Sequence, residues 1–326
     1  MAVSLSIPNI GARDLIFSTG ELAKQADGSV SCSCGGTVVL STVCMSKEPS
    51  PSKGFFPLTV EYREKTYAMG KIPGGFIKKE GRPKDEEILN ARLIDRPLRP
   101  LFPKGFTYEV QIFGLVLSSD GENNPDVLAL NAASCALFVS DIPFEKPIGA
   151  VRVSKLNGEF VVNPTYDKKQ NSPLDLVVVG TEGKIIMLEG QLEEVSEEEV
   201  FEAIKFSRLY IDKIIKAQKD FRQKYGRKKR EVQISAPSEE LTAQIKEKIQ
   251  EKLEDIYGLV KKEERESKIQ EILKECNEEF INEEAEIDET EIKKVFYSIE
   301  EEFVRKKILE EEKRPDSRGL KDIRPI

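Results

Sequence analysis

The feature that most constrains the fold is a change in hydrophobic pattern near Gly226. Before this residue, β-branched runs alternate with helical stretches, and after it the chain is almost entirely helical and rich in Glu and Lys. A basic run, Arg227 to Arg230, and a linker-like stretch, Ser235 to Ser238, separate the two patterns. Amphipathic helices bury their apolar stripes against one another, so the second pattern predicts a separate helical core. The 326 residues are enough for about two domains.

The first pattern predicts an α+β domain. Short β-branched runs predict strands at 38–44, 58–62, 110–117, 148–153, 160–162, 174–179 and 185–188. Helices are predicted near 86–96, 124–140 and 196–225. Asn124-Pro125 is a good helix start, and Ser196 with Glu199 forms a capping box. Strands mixed with helices that pack on a sheet are typical of this fold class.

The second pattern predicts a small all-helical domain of three helices. The first helix has an apolar stripe with spacings of three or four, formed by Leu241, Ile245, Ile249, Leu253 and Ile256. Residues 269–280 predict a second helix, and Asp288 with Glu291 caps a third. The predicted domains are therefore residues 1–232 and 233–313.

Composition excludes several kinds of chemistry. The chain has no histidine, which removes Ser-His-Asp and Cys-His catalysis and imidazole metal ligands. No run approaches the roughly 20 apolar residues of a membrane helix, and the start lacks a secretory signal. Five cysteines without paired spacing fit a reducing compartment, so we expect a cytoplasmic protein without membrane contact. Cys32 and Cys34 are predicted to be small core residues on one face of a strand.

The first candidate site is the loop at 67–82, with the sequence Y-A-M-G-K-I-P-G-G-F-I-K-K-E-G-R. Glycines and a proline give it unusual backbone freedom. Its tip and end carry Phe76, Ile77, Lys78, Lys79 and Arg82. An aromatic ring beside cations suits single-stranded nucleic acid, because the ring stacks a base while the cations meet phosphates. The alternative is a surface loop in which Phe76 packs back into the core.

The second candidate is an arginine row. Arg92, Arg96 and Arg99 lie at positions i, i+4 and i+7, which fall on one face of a helix. Guanidinium groups bind phosphate with paired hydrogen bonds, so the row predicts contact with RNA or phosphate. In the alternative, Arg92 and Arg96 pair with Asp95 and the acidic residues 85–87 and simply solvate a surface. The row follows the basic loop directly, which favours the nucleic-acid interpretation.

These segments resemble a known family. F-F-P-L-T-V-E-Y-R-E-K-T-Y-A-M-G-K-I-P-G-G-F-I-K-K-E-G-R-P and A-R-L-I-D-R-P-L-R-P-L-F-P-K-G-F are similar to the first ribonuclease-PH-like domain of the bacterial polynucleotide phosphorylase family. N-P-D-V-L-A-L-N-A-A-S and I-P-F-E-K-P-I-G-A-V-R-V fit the same family. The resemblance implies a ribonuclease-PH-like (ribosomal protein S5 domain 2-like) β-α-β-α domain followed by a small all-α domain.

The resemblance also implies a function. Members join two ribonuclease-PH-like domains through a helical domain, carry KH and S1 modules, and form a homotrimeric ring. Inorganic phosphate attacks the 3′-terminal phosphodiester of RNA, assisted by Mg²⁺, and nucleoside diphosphates are released during mRNA turnover. We expect this chain to bind and guide single-stranded RNA and to build the ring, with possible partners in an RNA-degradation complex. The segment 314–326 resembles the opening of the second domain, where the catalytic and metal site is expected.

Residue by residue, the resemblance makes these expectations specific. The family's Phe-Phe-Arg-Arg loop motif is matched here by Phe76, Ile77, Lys78 and Lys79. One aromatic residue is replaced by isoleucine, and both arginines are replaced by lysines, whose ammonium groups act as point charges and cannot form the paired hydrogen bonds of a guanidinium. Arg92, Arg96 and Arg99 match arginines that face the path of RNA and phosphate between the two ribonuclease-PH-like domains. Asp175 matches one catalytic aspartate, but Lys169 and Val177 stand where a second aspartate and a lysine are needed. We therefore expect no catalytic or metal-binding residue in this chain.

An alternative of another class is a non-catalytic RNA-binding ring subunit or scaffold of exosome type. A single-domain tRNA-trimming nuclease is disfavoured, because such a protein needs a complete phosphate pocket and lacks the helical domain.

Overall fold

The computed structural model describes residues 3–11, 13–50, 55–76, 78–234, 239–281 and 287–325. The chain divides into two compact units, Met1–Ser235 and Ala236–Ile326. The stretch 235–238, expected to be a linker, lies outside the described residues, and the domain limits expected from the sequence stay predictions. Within the described ranges, no helix combines the length and the hydrophobicity needed to cross a membrane.

The first unit contains a six-stranded sheet in the order β1-β2-β3-β4-β6-β5. Strand β5 pairs with β6 in parallel, and the other neighbouring pairs are antiparallel. Its strands are β1 (Val3–Ile7), β2 (Leu15–Thr19), β3 (Gly28–Cys34), β4 (Thr37–Pro49), β5 (Leu58–Glu64) and β6 (Tyr108–Ser118).

A four-stranded antiparallel sheet completes the unit, in the order β10-β9-β7-β8. Its strands are β7 (Gly149–Leu156), β8 (Glu159–Val162), β9 (Leu174–Thr181) and β10 (Lys184–Leu192). The helices of the unit are α1 (Asp85–Leu98), α2 (Pro125–Val139), the single turn α3 (Tyr166–Lys169) and α4 (Glu197–Tyr225).

Helix α2 is the centre of the core. It contacts β3, β4 and β6 of the larger sheet, β7 of the smaller sheet, and α4. Every residue from Val127 to Val139 is buried. A helix that is apolar all round must be enclosed, and the small side chains Ala129, Ala132 and Ala133 allow the sheets to approach it closely.

The predicted fold class is confirmed, and each of the seven predicted strands is present. The prediction omitted β1 and β2, although Val3, Leu5 and Ile7 alternate with serine at the two-residue period of a strand, and it gave no bounds for β3. Cys32 and Cys34 are buried on one face of β3, as predicted. Helix α1 was expected to end before Pro97 but continues to Leu98. Pro97 lies in the last turn, and the Arg99 N–H donates to the Asp95 carbonyl, so the helix loses little by continuing.

Helices α2 and α4 begin where the sequence predicts. The Ser196 hydroxyl accepts the Glu199 N–H of α4 at 3.3 Å, as the capping box predicts. Asn124 precedes Pro125 at the start of α2, but its side chain donates to the Pro164 carbonyl at 3.3 Å and does not cap the helix.

The second unit is helical, as predicted. Its helices are α5 (Glu239–Tyr257), α6 (Lys262–Phe280) and α7 (Glu289–Glu311). The predicted stripe of α5 lies in the core with Ile272, Leu273, Ile292 and Phe296 of the other two helices. Asp288 caps α7 by accepting the Glu291 N–H at 2.8 Å.

The basic run after α4 closes the first unit. Backbone hydrogen bonds join Arg227 to Val139 and Arg230 to Asp141, which carries the chain across the end of α2. The Lys229 ammonium donates to three carbonyl oxygens there, those of Leu137, Phe138 and Ser140, at 2.9, 3.0 and 2.8 Å. A lysine that satisfies free carbonyls at a helix C-terminus stabilises that end of the helix.

Replacing Lys229 with Met should therefore destabilise the first unit. The variant loses three hydrogen bonds from an amino group whose pKa burial lowers to about 7, and we expect the free energy of unfolding to fall by about 1–3 kcal/mol. Urea unfolding of the chain measures this. Lys228→Met is the matched control, because the Lys228 side chain is 91% exposed and should change stability by less than about 0.5 kcal/mol. Equal effects of the two variants would show that the carbonyl contacts do not stabilise the unit.

Candidate nucleic-acid interface

The loop between β5 and α1, residues 65–84, projects from the first unit, and hydrogen bonds join its two ends into a closed base. Buried Glu87 accepts the N–H of Glu64, at the end of β5, at 2.8 Å, and that of Lys84, before α1, at 2.7 Å. One turn further out, Glu80 accepts the Thr66 N–H at 2.8 Å. These two carboxylates hold the two arms of the loop together, so its middle projects from a fixed base.

The middle of the loop exposes its apolar side chains. Phe76 is fully exposed, at 102% of the reference area, which contradicts the alternative that its ring packs into the core. Gly70 and Gly75 adopt left-handed backbone angles, with φ of 66° and 85°. Lys78 also has a positive φ, 55°, which is uncommon for a residue with a side chain. Ile77 lies outside the described residues.

The loop is strongly basic in a chain whose net charge is −8. Residues 65–84 contain one acidic side chain, Glu80, against the six basic residues Lys65, Lys71, Lys78, Lys79, Arg82 and Lys84. Glu80 is paired with Lys65 at 2.5 Å. The structure shows no ion pair for the other five cations within the residues it describes. An aromatic ring and unpaired cations on one projecting loop fit the chemistry of single-stranded nucleic acid.

The three arginines of the row do not share one environment in the fold. Arg99 grips Asp95 with Nε–Oδ1 and Nη2–Oδ2 distances of 2.7 and 2.5 Å. Its guanidinium also donates to the carbonyls of Phe56 and Leu58, at 2.9 and 3.1 Å. Arg99 therefore fastens the start of β5 to the end of α1. This contradicts the alternative in which Asp95 pairs with Arg92 and Arg96.

Arg92 and Arg96 line a cleft of about 420 Å³ between α1 and strands β9 and β10. Arg96 pairs with Glu189 of β10 across it. Asp175 and Val177, which match two catalytic positions of the family, line the same cleft. The structure thus brings together four residues that the sequence had singled out, Arg92, Arg96, Asp175 and Val177. Contact of the two arginines with RNA or phosphate stays a prediction.

Arg152 occupies the floor of this cleft. Its guanidinium pairs with Asp126, at the start of α2, and with Asp175 on β9 at 2.6 Å. Lys169 pairs with the other Asp175 oxygen at 2.9 Å. Burial alone would lower the pKa of Arg152, but the charges of Asp126 and Asp175 outweigh that effect and raise it. Beside the cluster, burial and the Asp126 charge raise the pKa of Tyr166 to about 12.

This cluster does not fit a metal ion. Asp175 is neutralised from two sides, and Asp126 by Arg152. Among the residues that the structure describes, no group of three or more Asp, Glu, Cys or His side chains could hold a cation. The cleft therefore lacks the free carboxylates that Mg²⁺ requires.

Sequence reasoning missed Arg152, Asp126 and the two glutamates at the loop base. Arg152 had a detectable signal, because it is the one charge within the apolar run 149–153 of β7, and a buried charge needs a partner. Glu80 and Glu87 had none, since their roles depend on backbone groups brought together by the fold.

Comparisons with known proteins agree with this architecture. The model of the 3′ exoribonuclease family, domain 1, matches residues 11–143, and that of domain 2 matches residues 146–208. The model of the polyribonucleotide nucleotidyltransferase RNA binding domain matches residues 240–319. The chain belongs to the ribonuclease-PH-like 3′ exoribonuclease family, which confirms the predicted resemblance.

Individual relatives indicate which members of the family the chain resembles. The polyribonucleotide nucleotidyltransferase of Methylacidiphilum infernorum is 44% identical over 316 residues, and that of Heliobacterium modesticaldum is 46% identical over 317. Each alignment covers 97% of this chain and 45% of the relative, so the chain spans about half the length of these proteins. Rice Rrp46 matches the fold, with a TM-score of 0.53 and 20% identity, over 64% of this chain and 94% of Rrp46.

The Arg152 cluster makes a stability prediction. Asp126→Ala removes one of two carboxylates from a buried guanidinium, and we expect the free energy of unfolding to fall by about 3 kcal/mol. Urea unfolding measures the loss. Glu122→Ala, which breaks the exposed pair of Glu122 with Arg13, is the control and should cost less than about 1 kcal/mol. If Asp126→Ala proved as mild as its control, the cluster would not hold the cleft together.

Proposed function

We propose that this chain is the RNA-guiding portion of a polyribonucleotide nucleotidyltransferase, a phosphorolytic 3′-to-5′ exoribonuclease that releases nucleoside diphosphates. The observation that carries the proposal is the loop 65–84, whose fixed base presents a fully exposed Phe76 among five cations for which the described part of the chain shows no ion pair. Such a surface holds single-stranded RNA by stacking and by phosphate contact, without selecting a sequence. In this proposal Phe76, Ile77, Lys78, Lys79 and Arg82 form the RNA contact.

The chemistry itself is proposed to occur elsewhere in the whole protein. The cleft beside the loop carries its own internal ion pairs, with Asp175 neutralised by Arg152 and Lys169. Inorganic phosphate as co-substrate and Mg²⁺ as cofactor are therefore assigned to a second ribonuclease-PH-like domain, whose opening the segment 314–326 resembles. Arg92 and Arg96 are proposed to guide RNA or phosphate toward that site, with Arg99 fixing the helix that carries them.

The alternative, a non-catalytic ring subunit of exosome type, is less well supported. The relatives that match 97% of the chain at 44–46% identity are polyribonucleotide nucleotidyltransferases. The likeness to Rrp46, at 20% identity, extends to the fold alone. The coding sequence after Ile326 separates the two proposals. A second domain with two aspartates and a lysine in the catalytic positions supports the enzyme, and a stop codon supports the subunit.

We further propose a homotrimeric ring, a cytoplasmic location and domain limits at 1–232 and 233–313. Support for the location comes from the five cysteines, which are all free thiols. Ribonuclease-PH-like family membership supports the ring, and sedimentation of the whole protein tests it.

The loop makes a direct binding prediction. Replacing Lys78 and Lys79 together with Ala should weaken the binding of oligoadenylate, because each lysine meets a phosphate. The slope of log K against log salt should fall by about 0.7 per lost contact, or about 1.4 for the pair. Fluorescence anisotropy of a labelled oligonucleotide over a salt series measures both effects.

The chain offers a matched control for this experiment. Lys213 and Lys216 are also two exposed lysines of the first unit, but they lie on α4 and not on the loop. Replacing that pair with Ala should leave the slope unchanged. If both double variants gave the same slope as the unaltered chain, the loop would lie outside the RNA path.

The division between guidance and chemistry is tested by incubating this chain with short oligoadenylate, phosphate and Mg²⁺. We expect no release of ADP, while the whole protein assayed in parallel releases it. Phosphate-dependent ADP release by the chain alone would mean that the cleft with Asp175 and Arg152 is a working site.

A further inference from the structure

We propose that Tyr67, at the base of the loop 65–84, is a second stacking platform for a base of the bound RNA. The inference rests on the proposed function and adds a residue to its binding surface. In the sequence, the family's second loop aromatic is replaced by Ile77, so the tip offers one ring, that of Phe76. Tyr67 supplies another ring on the same basic loop, at a different point along the RNA.

The backbone of Tyr67 is fixed by its neighbours. It belongs to the 3-10 helix Thr66–Met69, which directly follows the closed base of the loop. The next residue, Ala68, is buried, and its carbonyl accepts the Ser119 N–H at 2.9 Å, just after β6. The Gly70 N–H then closes the turn on the Tyr67 carbonyl at 2.9 Å. The ring is therefore carried by a turn that is hydrogen-bonded to the sheet.

The ring itself is free to stack. The Tyr67 side chain is 52% exposed although its neighbour Ala68 is buried. An aromatic ring held in place on a surface loses little conformational freedom when a base stacks on it. Stacking on such a ring is tolerant of sequence, because every base has a π-face.

A cation lies close to Tyr67 along the chain. The Lys71 N–H donates to the Thr66 carbonyl at 3.1 Å, which folds the chain back and places Lys71 within one turn of Tyr67. Lys71 is exposed and, in the part of the chain described, forms no ion pair. The base of the loop thus repeats the combination at its tip, an exposed ring with an unpaired lysine.

Phe201 on α4 is a control for exposure alone. Phe201 is 57% exposed, close to the value for Tyr67. The stretch 193–205 around it contains six acidic residues and one basic residue, whereas the stretch 65–84 contains one acidic and six basic residues. We expect a polyanion to be attracted to the second setting and repelled by the first.

The absence of tryptophan from the sequence allows a direct test. Tyr67→Trp introduces a single tryptophan at the proposed platform, and Phe201→Trp introduces one at the control position. Oligoadenylate should quench the fluorescence of Trp at position 67 with the same Kd that anisotropy gives, and should leave the control unchanged. Inorganic polyphosphate, a polyanion without bases, should compete for the cations without quenching.

A second pair of variants measures the energy of the contact. Tyr67→Ala should weaken oligoadenylate binding at least about fivefold, since stacking on one ring contributes at least about 1 kcal/mol. Tyr67→Phe keeps the ring and should bind like the unaltered chain. Urea unfolding of both variants shows whether the loop base has kept its structure.

The outcomes separate this inference from the proposed function. If oligoadenylate binds but neither quenches Trp at position 67 nor responds to Tyr67→Ala, Tyr67 is not a platform, while RNA guidance by Lys78 and Lys79 stands. If polyphosphate quenches as strongly as RNA, the signal reports charge and the stacking assignment is wrong. If the unaltered chain binds no oligoadenylate, both proposals fail.

Discussion

The buried guanidinium of Arg152 is the interaction on which the first unit most depends. A charge in an apolar strand is tolerated only when partners compensate its lost hydration, and Asp126 and Asp175 provide that compensation. The two carboxylates come from α2 and β9, so one side chain joins the central helix to the smaller sheet. The same contacts determine the chemistry of the cleft. Carboxylates already bound to Arg152 and Lys169 do not offer a metal ion free oxygen ligands.

The charges of the loop 65–84 are arranged differently from those of the cleft. Its acidic groups, Glu80 and Glu87, are used at the base, where they satisfy backbone N–H groups and hold the two arms together. The cations beyond the base remain unpaired within the described residues. The charges of the cleft are neutralised by one another, whereas the cations of the loop have no such partners in the described residues. The two regions adjoin along α1, which begins at the loop and carries Arg92 and Arg96 into the cleft.

Much of the fold followed from local patterns. Seven strands, the long helices and the apolar stripe of α5 were predictable, because burial imposes periods of two and 3.6 residues on strands and helices. Strands β1 and β2 were not predicted, although β1 has the same period of two. For the site, the spacing of Arg92, Arg96 and Arg99 placed them on one face but could not show their partners. Arg99 begins the 3-10 turn Arg99–Leu101, which follows Pro97 and the end of α1. There its guanidinium donates to the carbonyls of Phe56 and Leu58, at the start of β5.

The sequence by itself determined the two-part architecture, the family resemblance and the basic, glycine-rich loop, because each depends on residues close together in the chain. The tertiary structure alone decided which charges are free. Asp175 is neutralised by residues 23 and 6 positions away, and Arg96 by one 93 positions away, through contacts that no local pattern specifies. It also decided that Phe76 faces solvent and that Tyr67 is fixed at the loop base. The physical reason is that the strength of a charge or a ring as a binding group depends on what the fold has already placed against it.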